Sequence, residues 1–199
     1  MSATLDATLA RENVAAAWAR VRRNDGCPGA DALRIEEIDR IFPAEFPFAR
    51  RSTRPPLNAV NAVLSYLSAI VHGELLTACH TRGLDPAPGC LHALSDDRHA
   101  LPLDLLEPFR PCALEPLTLR LFSHRILRAE HFESRDGGTF LNPAGRRTLL
   151  DTYEQRVERT FLSEHPGQRT TLRRQLQDAP LLWKMALADP ARFHPFLMN

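Results

Sequence analysis

Apolar residues recur three and four positions apart over most of this chain, which is the spacing of helices that each bury one face. Leu9, Val14, Ala17, Trp18 and Val21 predict a helix over 9–23, stopped by Asn24-Asp25-Gly26-Cys27-Pro28-Gly29. A second short helix is expected over 32–42. Pro43, Pro47, Pro55 and Pro56, interleaved with Arg50, Arg51 and Arg54, then form a linker that cannot be helical throughout. Asn58 is placed to cap a long helix reaching about Thr81, with Gly83 as its permissive stop. Residues 84–91 read as irregular. Leu105, Leu106, Phe109, Leu114, Leu117, Leu121 and Ile126 give a helical pattern over 101–127 that Pro108, Pro111 and Pro116 must kink or divide.

Only one stretch reads as strand. Arg135-Asp136-Gly137-Gly138 is turn chemistry between two arms that each carry phenylalanine, predicting a hairpin over 131–141. Asn142-Pro143 opens the next helix with a cap and a first-turn proline, and that helix is expected to run to about Ser163, where His165-Pro166-Gly167 ends it. Two shorter helices, over 171–177 and 180–188, close the pattern. The expected fold is mainly α with one small β-hairpin. The proline-rich linker divides it into a leader over 1–45 and a helical domain over 46–199.

Composition narrows the class. The chain has 199 residues, 44% apolar and 25% charged, enough for one good core or two small ones and too patterned for disorder. The most weakly charged stretch, 55–73, contains Asn58, Asn61, Ser65, Ser68 and His72, so no membrane span is expected. The N-terminus has neither a basic lead nor an apolar run, which makes the cytoplasm the expected compartment. Cys27, Cys79, Cys90 and Cys112 include no C-x-x-C pair and are expected as reduced thiols. The net charge of +1 hides a polarity: 74–115 holds three Arg against seven acids, and 120–174 eleven Arg against seven acids. Arginine grips phosphate through a planar fork, so the basic end is compatible with a polyanion.

The candidate chemistry lies in the acidic part. Asp104 and Glu107 are i and i+3, which on a helix sends both carboxylates from one face, and His92 arrives from the loop before them. One nitrogen and two oxygen donors suit Mn2+ or Mg2+, whose role would be to polarise a phosphoryl oxygen. Acids at this spacing also stand on many solvated helix faces, and a loop histidine is more often a cap. No P-loop, dinucleotide fingerprint, nucleophile elbow or H-E-x-x-H is present, which disfavours the corresponding enzyme classes.

Four ordered blocks carry a resemblance. They are Arg54-Pro55-Pro56-Leu57-Asn58-Ala59-Val60-Asn61-Ala62, Gly83-Leu84-Asp85-Pro86, Gly89-Cys90-Leu91-His92, and Leu103-Asp104-Leu105-Leu106-Glu107-Pro108-Phe109-Arg110-Pro111. Together they resemble the C-terminal helical domain of the CRISPR-associated integrase/endonuclease family that inserts new spacers in antiviral defence. The hairpin, the run Phe140-Leu141-Asn142-Pro143-Ala144-Gly145-Arg146-Arg147 and the ending Ala191-Arg192-Phe193-His194-Pro195-Phe196 fit the same family. The resemblance implies a DNA endonuclease dependent on Mn2+ or Mg2+, with His92, Asp104 and Glu107 as catalytic metal ligands. Arg54, Arg110, Arg146 and Arg147 are its candidate DNA contacts. It implies as partners DNA, a second copy of the chain or a full-length integrase subunit, and that subunit's small CRISPR-associated partner protein.

Two departures qualify it. The family's remaining metal-binding Glu should fall near Cys27 to Gly29, where no Glu stands, and Glu36 and Glu37 come about a turn too late. Its N-terminal β-sandwich has no room in a chain of this length. In that place, Ala17 to Asp31 resembles the opening of group II intron-type reverse transcriptases, without the polymerase palm. Two functional readings therefore stand: a metal-dependent DNA endonuclease/integrase of spacer acquisition, and a non-catalytic DNA-binding or assembly module left from a reverse transcriptase–integrase fusion.

Overall fold

The computed structural model describes residues 42–48, 50–91, 99–163 and 167–189. The helix expected over 9–23, the one expected over 32–42 except Phe42, the polymerase-like segment 17–31 and the ending at 191–196 lie outside the described residues, as does His92.

The long helix forms as expected. Helix α1 (Ala59–Thr81) is capped by Asn58, whose Oδ1 accepts from the Asn61 N–H at 2.9 Å. It closes at Gly83, which takes φ +65°, the left-handed conformation that costs glycine least, while the Leu84 N–H reaches back to the Cys79 carbonyl at 3.0 Å. By length and composition α1 could cross a bilayer, but Val60, Val63, Leu67, Val71 and Leu75 are buried inside the protein. Those side chains belong to the buried apolar core.

The prolines divide the next helical stretch into three. Helix α2 (Ala100–Leu106) stops before Pro108, a π-helical turn runs over Arg110–Leu114, and helix α3 (Glu115–Ser123) begins with Pro116 in its first turn. A proline without an N–H breaks the ladder inside a helix and costs least at its start, so each break falls where a proline removes a donor. A short 3-10 turn (Ala129–His131) leads to strands β1 (Phe132–Arg135) and β2 (Gly138–Leu141), antiparallel with Phe132 opposite Leu141 and Arg135 opposite Gly138. Asp136 at φ 51° and Gly137 at φ 73° make the two-residue turn, and both adopt the left-handed conformation such hairpins require.

Three expectations are corrected beyond this point. Helix α4 (Pro143–Val157), capped by Asn142 Oδ1 on the Gly145 N–H at 2.9 Å, ends at Val157 rather than Ser163. Strand β3 (Thr160–Leu162) pairs antiparallel with β4 (Arg169–Thr171), so there are two small hairpins rather than one. Thr160-Phe161-Leu162 is β-favouring, and Gly167 at φ 73° serves a hairpin rather than merely ending a helix. The last two helices are one, α5 (Leu172–Ala188), with Pro180 inside it. Leu172, Leu176, Pro180, Trp183 and Ala186 form one buried stripe at helical spacing, and that burial outweighs the roughly 3 kcal/mol an interior proline costs.

The described residues fall into two compact units, each assembled from separated stretches. One contains those of Val71–Phe109 and Thr160–Asn199, the other those of Pro28–Ile70 and Arg110–Arg159. The first unit is held by Arg82 on Asp178 (3.3 Å), Arg174 on Asp178 (2.8 Å) and Arg173 on Glu74 (3.4 Å) around buried Leu75, Leu105, Leu176 and Trp183. The second centres on an aromatic cluster: Phe46 lies 4.8 Å from Phe122, and Phe42, Phe48 and Phe132 complete it at ring separations up to 6.1 Å. In the same unit Asn61, fully buried, donates Nδ2 to the Arg50 carbonyl at 2.9 Å and accepts from the Ser52 N–H at 2.9 Å. This amide pins the linker to α1. Asn61→Ala strands both linker groups, and a loss of about 2–4 kcal/mol is expected in urea unfolding; an unchanged midpoint would contradict the assignment.

Candidate functional site

The chain before His92 is stitched to the head of α2 from both sides. The first amides of α2 lack intrahelical acceptors, and they donate outward: Leu101 N–H to the Pro86 carbonyl at 3.1 Å and Ala100 N–H to the Ala87 carbonyl at 3.3 Å. In return the Asp104 carboxylate, only 3% exposed, accepts through Oδ2 from the Leu91 N–H at 3.0 Å and from the Cys90 N–H. A buried carboxylate is tolerable only with such donors, and hydrogen bonds to a charged acceptor contribute about 1.5–3 kcal/mol each.

Gly89 makes the approach possible. A Cβ there would stand 2.6 Å from the Ala100 Cβ and 2.7 Å from Asp104 Oδ2, so any side chain would separate the loop from the helix. The Cys90 thiol, half-buried beside Asp104, is pushed up to about 11, first by burial and then by the neighbouring carboxylate. It stays protonated near neutrality and is a poor nucleophile there. The Gly-Cys-Leu-His block is thus a backbone-docking motif up to its last residue.

Glu107 follows one turn after Asp104, its N–H donating to the Asp104 carbonyl at 3.3 Å, and its side chain is half-buried. The two carboxylates expected on one helix therefore leave the same short stretch of backbone in different roles, since one oxygen of Asp104 is committed to the loop. Their donor type suits a hard divalent cation. Among the described residues, no three His, Cys, Asp or Glu side chains converge as a metal site. His92 and the position of the family's further Glu, near Cys27 to Gly29, lie outside the described residues.

The candidate arginines are dispersed. Arg54 is exposed on the linker, and Arg146 and Arg147 stand in the opening turns of α4. Arg110 donates to Ser68 Oγ at 3.3 Å, and Arg51 of the linker donates to Asn61 Oδ1 at 3.0 Å and to Ser65 Oγ, one turn before Ser68 on α1, at 3.3 Å. Burial, and then the charge of Arg110, pushes the Arg51 guanidinium below its ordinary range, with Glu115 opposing. Arg51 was legible in the sequence only as one linker arginine among three. What singles it out is Asn61, whose burial no local pattern announces.

Compared with known proteins, residues 34–155 match the family described as CRISPR associated protein Cas1. The chain is 34% identical over 191 residues to CRISPR-associated endonuclease Cas1 1 of Thermus thermophilus, covering 96% of this chain and 59% of that protein. A CAS1 protein from Thermotoga maritima superposes with a TM-score of 0.67 at 26% identity, covering 77% of this chain and 47% of that one. A casposase bound to integration product shares the fold, with a TM-score of 0.73 at 20% identity over 82% of this chain and 50% of that one. The chain spans about half the length of the relatives it matches.

The docking geometry has direct consequences. Gly89→Ala should lower the thermal midpoint, consistent with an overpacking cost of about 1–3 kcal/mol. Asp104→Asn, which keeps an acceptor oxygen for the two amides, should be milder than Asp104→Ala. Equal melting of the two Asp104 variants would show that the amide contacts contribute nothing.

Proposed function

The chain belongs to the Cas1 family, and on that premise we propose that it is a metal-dependent DNA endonuclease/integrase domain serving spacer acquisition in antiviral defence, with its compartment the cytoplasm. One observation supports this above the rest: a loop that ends one residue before His92 is held on a buried Asp104, one turn from Glu107. His92 and Glu107 hold Mn2+ or Mg2+, and Asp104 enters the set with one oxygen already spent on the loop. The ion, when bound, supplies positive charge to a phosphate under attack. Arg54, Arg110, Arg146 and Arg147 hold the DNA backbone, because phosphate contacts dominate affinity for nucleic acid. A second copy of the chain, or a full-length integrase subunit with its small CRISPR-associated partner protein, completes the assembly.

The other reading, a non-catalytic DNA-binding or assembly module descended from a reverse transcriptase–integrase fusion, is favoured by the sequence near Cys27 to Gly29, where no Glu stands. Loss of one ligand from a metal site weakens binding steeply. Manganese titration calorimetry separates the two. The endonuclease reading expects measurable binding to the wild type that disappears in His92→Ala and in Glu107→Ala. No binding to the wild type favours the module, and equal binding in all three proteins would sink the ligand assignment.

A further inference from the structure

The β1–β2 hairpin has no part in the site described above, yet it is docked on the linker that carries Arg54. The Thr139 N–H donates to the Pro56 carbonyl at 2.8 Å, so this donor of β2 is committed to the linker rather than to β1. One position earlier Gly138 is buried, and a Cβ there would stand 2.7 Å from the Pro55 Cβ and 2.9 Å from the Phe140 ring. The left-handed conformation of this turn belongs to Asp136 and Gly137, not to Gly138. What Gly138 supplies is therefore space, and Pro55 occupies it.

The linker closes on itself at the same place. The Leu57 N–H donates to Ser52 Oγ at 2.9 Å, and the Ser52 N–H donates to Asn61 Oδ1 at 2.9 Å, so residues 52–57 form a loop whose ends meet at Ser52 and whose base stands on α1. Pro55 and Pro56 rest on β2, and Arg54, immediately before them, is exposed. The hairpin is itself fixed: the Phe132 ring lies 5.9 Å from Phe46 and 6.1 Å from Phe122, and the Arg135 guanidinium covers the Phe140 ring at 4.9 Å. All of these residues belong to one compact unit. Asn61 by itself joins the linker to α1; the contacts from β2 add only the fixing of 55 and 56, the residues that follow Arg54.

We propose that Gly138 and Thr139 are positioning residues, and that the β1–β2 hairpin is a buttress holding the 52–57 loop so that Arg54 meets its ligand in one orientation. The inference rests on the reading of Arg54 as a DNA contact and adds the element that orients it. The physical reason is entropic. A loop left free must be ordered when it binds, at about 1–2 kcal/mol per residue of backbone freedom, whereas a loop already held by β2 and Ser52 has lost that freedom on folding. Prolines at 55 and 56 restrict the same stretch from within.

Two readouts on the full chain in EDTA test this. Anisotropy of an end-labelled DNA duplex across a range of salt reads the contact, and hydrogen exchange at the Leu57 amide reads the loop. Arg54→Gln should make the slope of log affinity against log salt shallower by about 1 and leave Leu57 exchange unchanged. Gly138→Ala should lose the same slope of about 1 and speed Leu57 exchange, and Arg54→Gln added to it should lower the slope no further, because residues acting through one contact are not additive. Thr139→Pro, which removes the N–H, should behave like Gly138→Ala and replaces it as the probe if that variant does not fold; Thr139→Val, which keeps the N–H, should bind as the wild type does. A merely structural Gly138 would lower the melting midpoint and leave the slope intact. An unchanged slope in Gly138→Ala and Thr139→Pro, unchanged Leu57 exchange, or additive losses in the double variant would overturn the positioning role while leaving Arg54 as a contact. No change of slope in Arg54→Gln, or no duplex binding by the wild type, would overturn it through the DNA reading it rests on, so the two failures are separate results.

Discussion

Burying a carboxylate costs several kcal/mol unless donors replace the lost water, and the backbone amides of Cys90 and Leu91 supply such donors to Asp104. The consequence is positional. A carboxylate that accepts from Leu91 and Cys90 fixes where the chain points as it approaches His92, and the return bonds from Leu101 and Ala100 fix the start of α2. Loop and helix thereby become one piece of covalent and hydrogen-bonded structure, with Glu107 a turn further on. Gly89 is required by the same constraint, because only a residue without a Cβ lets the loop come within reach of the carboxylate.

The other unit solves its own version of the problem. Prolines interrupt the backbone N–H groups with which the linker could build secondary structure, and it is fixed from outside by the buried Asn61 amide and by phenylalanines inserted beside Phe122. The arginines follow from that anchoring. Arg51 is held against α1 by Asn61 and Ser65, and Arg110 by Ser68. A net charge near zero thus coexists with local concentrations of arginine.

The elements that could be read from the sequence are those whose signals are local. Asn58 and Asn142 cap helices with their own side chains, Gly83 stops one, Asp136-Gly137 turns a hairpin, and each prediction needed only neighbouring residues. Where the reading went astray, a distant contact decided. Pro180 looked like a boundary and lies inside α5, because the stripe from Leu172 to Ala186 is buried by other elements. Thr160 to Leu162 looked like the tail of a helix and is a strand, because Arg169 to Thr171 comes back to pair with it.

The same division holds at the site. The sequence alone determined that Asp104 and Glu107 would leave one helix a turn apart, since an i, i+3 relation is set by helical geometry whatever surrounds it. It also determined the order of the motifs and the concentration of arginine toward the end of the chain. Only the tertiary structure decided that Asp104 is buried and bonded to the loop, and that Arg51 and Arg110 both reach serines of α1. Solvent exposure and charge proximity depend on which distant segments pack together, and no window of sequence contains that information.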